Sequence, residues 1–178
     1  MKPRGTATVE DLLKAPYDGL KRELVDGEII VSPSGWKHSK ITIKIIHILA
    51  TFLEDHPIGQ IGAPDLGVWL SNGNLRSPDV TFIRNEKLPR KEDEHKFAEF
   101  IPDLAVEVLS PSDRPGFVSE KIREFLENAV PIVWLVDSKQ KTVTEYRSLS
   151  EIKQFTGDDM ISAEPVLPGF SCSISRFF

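Results

Sequence analysis

The sequence contains a single cysteine, Cys172, so no disulfide bond can form within the chain. None of its apolar runs approaches the roughly 20 residues that a membrane-spanning helix needs. The first eight residues also lack the apolar core of a signal peptide. We therefore expect a cytoplasmic protein with no membrane partner. Because no histidine or aspartate pattern accompanies Cys172, we interpret it as a small buried apolar residue.

Several chemical signatures are absent as well. There is no glycine-rich phosphate loop and no dinucleotide-binding fingerprint. The residues His47, His56 and His95 show no grouping, which argues against a zinc site. The net charge of −5 argues against a broad basic surface that coats nucleic acid without sequence preference. Carboxylates gathered around a divalent metal ion would agree with this acidic balance.

The composition is that of a globular protein, with 40% hydrophobic and 28% charged residues among 178. A chain of this length is most simply one domain, which we place at residues 1–178. Periodicity and turn signals predict helices at 8–14, 36–54 and 119–129, hairpins at 21–32 and 66–83, strands at 104–109, 132–136 and 142–146, a charged loop or short helix at 85–99 and an apolar tail at 162–178. This order predicts a mixed α/β (α+β) fold in which helices flank one central sheet. The strand at 104–109, the helix after it and the strand at 132–136 fit a parallel crossover.

The predicted helix at 36–54 has more apolar surface than one buried stripe requires. Ile41 and Ile45 follow the helical period, whereas Ile43 and Ile46 widen the apolar surface beyond it. We expect this helix to pack on two sides, and a homodimer would supply the second contact.

Glu107 interrupts the apolar strand predicted at 104–109. A glutamate is rarely buried without a partner, because removing an ionised carboxylate from water costs several kcal/mol. Asp79, on the outgoing strand of the second hairpin, and Lys121, on the following helix, are the candidate partners. Two acids on adjacent strands are ligands suited to Mg²⁺, and a nearby lysine can orient water or stabilise phosphate charge.

Each of these residues also has a purely structural interpretation. Asp79 follows Pro78 and has the composition of a strand start or turn. Glu107 can belong to a structural ion pair. Lys121 can be a surface lysine paired with Glu120 or Glu124.

Two further residues are candidates for the same site. Glu23, in the first hairpin, is a possible third carboxylate or a solvent-facing strand residue. His38 begins the long helix on the stripe of Ile41 and Ile45, where a histidine is more often packed or hydrogen-bonded than a ligand.

A set of short motifs, in this order and spacing, resembles the Uma-type family of restriction-endonuclease-like bacterial proteins. The motifs are Glu23-Leu24-Val25-Asp26-Gly27-Glu28, His38, Pro78-Asp79-Val80, Val106-Glu107-Val108-Leu109-Ser110-Pro111-Ser112, Lys121, Trp134-Leu135-Val136-Asp137 and Val166-Leu167-Pro168-Gly169-Phe170. The resemblance implies a PD-(D/E)XK nuclease fold in which two acids, Asp79 and Glu107, hold the metal. Leu109 stands where the general pattern has its lysine, and Lys121 matches the position to which the family moves that lysine. Glu23 and His38 match positions that the family tends to keep near the site.

The main hypothesis is therefore a Mg²⁺- or Mn²⁺-dependent nuclease acting on nucleic acid, with DNA preferred as substrate. Asp79 and Glu107 bind the metal, Lys121 activates or orients water, Glu23 completes the site, and His38 assists with a proton or contacts phosphate. A second hypothesis is a dimeric nucleic-acid-binding or interaction domain that keeps the fold without turnover. A third is that the charges form only a structural ion-pair network.

Overall fold

The computed structural model describes residues 5–16, 18, 20–32, 35–89, 97–111 and 113–178. The helices in these ranges are α1 (Val9–Leu13), α2 (Trp36–Asp55) and α3 (Pro115–Glu127), and short 3₁₀ helices cover Asn85–Lys87 and Ile174–Phe177. The strands are β1 (Lys21–Val25), β2 (Glu28–Ser32), β3 (Gly59–Gly62), β4 (Val68–Trp69), β5 (Leu75–Arg76), β6 (Val80–Arg84), β7 (Leu104–Val108), β8 (Ile132–Asp137), β9 (Thr142–Tyr146), β10 (Ile152–Thr156), β11 (Met160–Ala163) and β12 (Leu167–Ser173).

The central sheet has six strands in the order β10-β9-β8-β7-β6-β3. Its middle pair, β7 and β8, is parallel, and Glu107 lies beside Leu135 in their register. A parallel pair needs a crossover, which α3 provides. The crossover predicted from the sequence is thus confirmed.

Two helices cover opposite faces of this sheet. On one face, Ile45 and Leu49 of α2 pack in a core with Val106 and Trp134, and the β11–β12 hairpin completes the same core. On the other face, Ile122 and Phe125 of α3 pack in a core with Ala105 and Val133. Because side chains alternate along β7, Glu107 lies on the α3 face with Ala105.

A second, smaller sheet has the order β2-β1-β5-β4. Helix α1 packs against it through Leu12, which meets Leu24 of β1 and Leu75 of β5. This sheet brings β1 close to the beginning of β6.

Several local predictions are confirmed. Thr8 caps α1 and forms a capping box with Asp11. Asp26 and Gly27 have positive φ angles of 50° and 74° in the tight turn between β1 and β2, as an Asp-Gly hairpin requires. Cys172 is buried in the core.

The hairpin predicted at 66–83 is wrong in its second half. Strand β4 pairs with β5 around the turn at 71–74, whereas β6 belongs to the central sheet and pairs with β3 and β7. The error arose because β3 carries too weak a pattern to be recognised as the partner of β6. Helix α3 also begins at Pro115, four residues earlier than predicted, since proline is favoured in a first helical turn.

The C-terminal region is more regular than the predicted apolar tail. It forms β11 and β12, preceded by β10 on the edge of the central sheet.

Some residues considered in the sequence analysis lie outside the described residues. They are residues 1–4, the part of the charged segment at 90–96, which includes His95, and Ser112. Within the described ranges, no helix is both long and apolar enough to span a membrane.

Candidate active site

A cleft of about 550 Å³ opens between β2 and the connection from β7 to α3. The five residues selected from the sequence all line it: Glu23, His38, Asp79, Glu107 and Lys121. They come from β1, α2, the start of β6, β7 and α3, so five separate elements meet at this place. The tertiary fold therefore brings the predicted residues together.

Asp79 lies just before β6, where its backbone N–H donates to the oxygen of Val106 at 3.0 Å. The antiparallel register of β6 and β7 pairs Val80 with Val106. One position before Val80, Asp79 therefore lies opposite Glu107. Both Asp79 oxygens are bonded: Lys21 Nζ lies 2.7 Å from Oδ1, while His38 Nε2 lies 3.0 Å from Oδ2. The Val108 N–H also donates to Oδ2 at 2.8 Å.

Lys121 joins the other two carboxylates. Its Nζ lies 2.6 Å from Glu107 Oε1 and 2.8 Å from Glu23 Oε1. Lys121 and Glu23 are buried, whereas the Glu107 side chain retains 13% of its exposure. The interpretation of Lys121 as a surface lysine is therefore wrong, and so is that of Glu23 as a solvent-facing strand residue.

The electrostatics separate the two opposed acids. Burial alone would raise the pKa of Asp79, but the hydrogen bond from His38 and the charge of Lys21 hold it well below its usual range. For Glu107 burial prevails and raises the pKa to about 7, although the lysine ammonium groups oppose the shift. Burial lowers the pKa of Lys121, but Glu107 and Glu23 outweigh it and raise that pKa above its usual range. The cleft thus pairs a firmly ionised aspartate with a glutamate that titrates near neutral pH.

A buried ion network lies beneath the charged residues of the cleft, which together form its floor. Arg76 Nη1 donates to Glu23 Oε2 at 3.3 Å, and Arg76 Nε donates to Glu124 Oε2 at 2.6 Å. Asn74 Nδ2 donates to the other oxygen of Glu124 at 2.8 Å. The backbone N–H of Ser77 donates to Glu23 Oε1 at 2.7 Å. Glu23 is therefore held from two sides while it contacts Lys121.

Sequence reasoning missed Lys21 and Arg76, and it considered Glu124 only as a surface partner of Lys121. Lys21 could have been found, because it stands two residues before Glu23 and the period of a strand puts both on one face. Arg76 and Glu124 gave no comparable signal, since their partnership joins a short strand to a helix 48 residues away.

The donors in the cleft suit a hard divalent cation. Mg²⁺ is typically bound through one or two carboxylates and keeps several waters, and Asp79 and Glu107 supply two oxygen-donor side chains at opposed positions. In the ranges that the structure covers, no group of three or more His, Cys, Asp or Glu side chains is arranged to hold a metal ion. The residues thus fit an ion with a large share of water ligands, and they do not form an all-protein cage.

Comparison with known proteins shows the family to which this chain belongs. The sequence model of Uma2, whose description reads "Putative restriction endonuclease", matches residues 9–175. The chain belongs to the Uma2 family. The resemblance drawn from the sequence motifs is confirmed.

A solved structure shares the Uma2 architecture seen here. It is described as "a putative nuclease belonging to DUF820 from Anabaena variabilis ATCC 29413", and it superposes with a TM-score of 0.82 over 96% of this chain and 97% of that chain. The two sequences are 24% identical, so this likeness concerns the fold. The predicted restriction-endonuclease-like fold is confirmed. No curated protein matches the chain.

Proposed function

We propose that this Uma2 protein is a metal-dependent nuclease that hydrolyses phosphodiester bonds of nucleic acid, with DNA as the preferred substrate. The observation that carries the proposal is the convergence of Asp79, Glu107 and Lys121 in one cleft, with the lysine ammonium 2.6 Å from one of the acids. Membership of a restriction-endonuclease family supports the same reaction class.

Asp79 and Glu107 would hold Mg²⁺ or Mn²⁺ between them. A bound ion would neutralise phosphate charge and lower the pKa of its water. The low pKa of Asp79 keeps one ligand ionised, and His38 and the Val108 N–H fix its orientation. Residues that orient a metal ligand strongly affect metal affinity. The role of His38 is therefore to position Asp79.

Lys121 supplies the positive charge beside the reacting phosphate. In this role its ammonium orients the attacking water or stabilises the phosphate oxygens as their charge grows. Glu23 positions Lys121 from the side opposite Glu107, and Arg76 in turn holds Glu23. Lys21, which contacts Asp79 at 2.7 Å, provides a countercharge to that acid.

One observation favours a nucleic-acid-binding or interaction domain without turnover. Lys21 and Lys121 already pair with Asp79 and Glu107, and His38 is hydrogen-bonded to Asp79. A closed network of this kind also satisfies the purely structural hypothesis. The three functions differ in whether metal binds and whether substrate is cleaved.

Metal binding is tested by calorimetric titration of the wild type, Glu107→Ala and Glu127→Ala with Mg²⁺ and with Mn²⁺. Glu127 is a matched control because it is an exposed glutamate on α3. We expect Glu107→Ala to weaken binding at least about tenfold, because one of two protein ligands is lost. Equal affinity in the wild type and Glu107→Ala would refute the metal site.

Cleavage is tested with DNA and RNA substrates in the presence of either metal. We expect Asp79→Ala to abolish cleavage and Glu127→Ala to retain it. Metal binding without cleavage of any substrate would favour the binding domain. If the protein neither binds metal nor cleaves any substrate, the structural ion-pair network is the function of these charges.

A further inference from the structure

The walls of the cleft differ chemically from its floor. The floor carries the charged groups, whereas apolar side chains form both walls. One wall is contributed by β2 and the other by the end of β7 and the first turn of α3. The apolar residues of this lining include Ile30, on the face of β2 that carries Glu23, together with Leu109, Phe117 and Val118.

Apolar walls are a poor match for the outside of a nucleic acid duplex. A duplex presents phosphates and sugars outward, and proteins that bind it do so mainly through basic and polar contacts to phosphates. The basic residues lining this cleft are Lys21, Arg114 and Lys121. Lys21 and Lys121 are already paired with acids on the floor, which leaves Arg114 at the rim. The lining therefore suits one or two phosphates and not a continuous double backbone.

The apolar part of the lining matches the faces of an unpaired base. Bases stack on apolar and aromatic side chains with little dependence on sequence. Ile30, on the face of β2 that carries Glu23, and Phe117 of α3 both line the cleft. Its volume of about 550 Å³ lies in the range of about 300–1,000 Å³ found for pockets that enclose drug-sized ligands. A nucleotide is a ligand of that size, whereas a duplex, whose major groove alone is about 12 Å wide, is much larger.

Building on the nuclease function proposed above, we infer that the cleft accepts an unpaired nucleotide, so that the substrate is single-stranded or carries a single-stranded end or flap. The base lies between the apolar walls, its phosphate reaches the floor beside Lys121, and Arg114 meets the neighbouring phosphate at the rim. A fully paired duplex must first expose a nucleotide, and this unpairing costs free energy.

Binding is measured separately from cleavage, with the full chain in the absence of divalent metal. Fluorescence anisotropy compares a labelled single strand, the blunt duplex of the same sequence and that duplex with a single-stranded tail. We expect the single strand and the tailed duplex to bind at least about tenfold more tightly than the blunt duplex, as base stacking predicts. Equal or tighter binding of the blunt duplex would overturn the inference, and so would absence of binding to all three.

A charge placed on one wall tests whether the cleft is the binding place. Ile30→Asp adds an acid to the face of β2 that carries Glu23, where Ile30 is half-buried, and Ile152→Asp adds the same charge to β10, where Ile152 is 52% exposed. Both side chains meet solvent at least in part. We expect Ile30→Asp to weaken single-strand binding about tenfold or more and Ile152→Asp to change it less than about twofold. Equal effects of the two variants would contradict a cleft-bound base.

Cleavage of the same three oligonucleotides with Mg²⁺ or Mn²⁺ distinguishes this inference from the proposed function. Preference for the unpaired substrate in both the binding and the cleavage assay supports the unpaired-nucleotide ligand and the nuclease function alike. Tight single-strand binding without cleavage supports the unpaired-nucleotide ligand and contradicts the nuclease function. Efficient cleavage within the blunt duplex supports the nuclease function and contradicts the inference.

Discussion

Lys121 neutralises two acids at once, which makes it the residue on which the floor of the cleft most depends. Its ammonium contacts Glu23 and Glu107 and lies 5.9 Å from the centre of the Phe125 ring. A lysine can occupy such a place because its methylene groups pack against apolar surface. Its removal would leave two buried carboxylates facing each other without a shared cation.

Lys121→Met should therefore reduce stability as well as activity. Removing one partner of a buried ion pair typically costs about 3–5 kcal/mol, and we expect a loss near the lower limit because Arg76 still pairs with Glu23. Urea denaturation measures the change. Arg123→Met is the control on the same helix, since Arg123 is exposed, and should change stability by less than about 0.5 kcal/mol. Similar losses in both variants would contradict the role assigned to Lys121.

Glu107 should make folding stability depend on pH. Burial raises the folded-state pKa of Glu107 from its ordinary value of 4.5 to about 7, so between these values the folded state binds more protons than the unfolded state. The resulting stabilisation is complete below about pH 4.5 and disappears as pH rises through about 7. Between about pH 5 and pH 8, we expect the wild type to lose on the order of 2 kcal/mol more stability than Glu107→Gln.

Urea denaturation at the two pH values measures this difference. Glu127→Gln, at an exposed position of α3, should follow the wild-type profile. Parallel profiles of the wild type and Glu107→Gln would show that Glu107 does not titrate in this range.

At the scale of elements, the candidate site lies where the two sheets and α3 meet. Strand β1 brings Lys21 and Glu23 from the small sheet, β6 and β7 bring the opposed acids from the central sheet, and α3 lies over them. Asp79, just before β6, and Glu107, on β7, face each other because these two strands are antiparallel neighbours. Any change that shifts β6 should therefore disturb the site.

Gly59 in β3 keeps β6 in place on its other side. A methyl group at Gly59 would overlap the Ile83 backbone oxygen and the Phe82 ring of the paired strand. We expect Gly59→Ala to cost about 2 kcal/mol, within the range of overpacked cores, as measured by urea denaturation. Gly116→Ala is the control, because no atom lies within 4 Å of the added methyl group and alanine favours helix. A neutral Gly59→Ala would show that β3 can move without disturbing the sheet.

At the scale of the whole molecule, helix α2 leaves apolar surface exposed. Ile43 is 63% exposed and Trp36 is 85% exposed, while Ile46 packs against the core. Ile46 thus belongs to the buried side of the helix, contrary to the second apolar face drawn from the sequence. Ile43 and Trp36 remain the positions where a second copy of the chain would pack.

The homodimer therefore stays a prediction with a direct test. We expect the wild type to sediment as a dimer and Ile43→Glu as a monomer, because a buried charge opposes association. Ile152→Glu changes a similarly exposed isoleucine on β10 and should leave the dimer intact. A monomeric wild type in sedimentation velocity would refute the prediction.

Local signals in the sequence were sufficient for a large part of this protein. The Asp-Gly turn, the cap of α1, the period of α2 and the apolar β7 depend on neighbours within a few positions, and all were predicted correctly. Glu107 was recognised for the same reason, because a charge within an apolar strand is visible without knowledge of the fold.

Pairing between distant segments was decided only by the tertiary structure. Strand β6 could pair with β5 or with β3, and only the packed sheet selects β3. Lys21 reaches Asp79 across 58 positions, and Arg76 reaches Glu124 across 48. These partnerships depend on which strands meet and how deeply their side chains are buried. The sequence thus determined which residues carry the charges of the candidate site, and the tertiary structure decided which of them meet, because ion pairing and pKa depend on distance and burial.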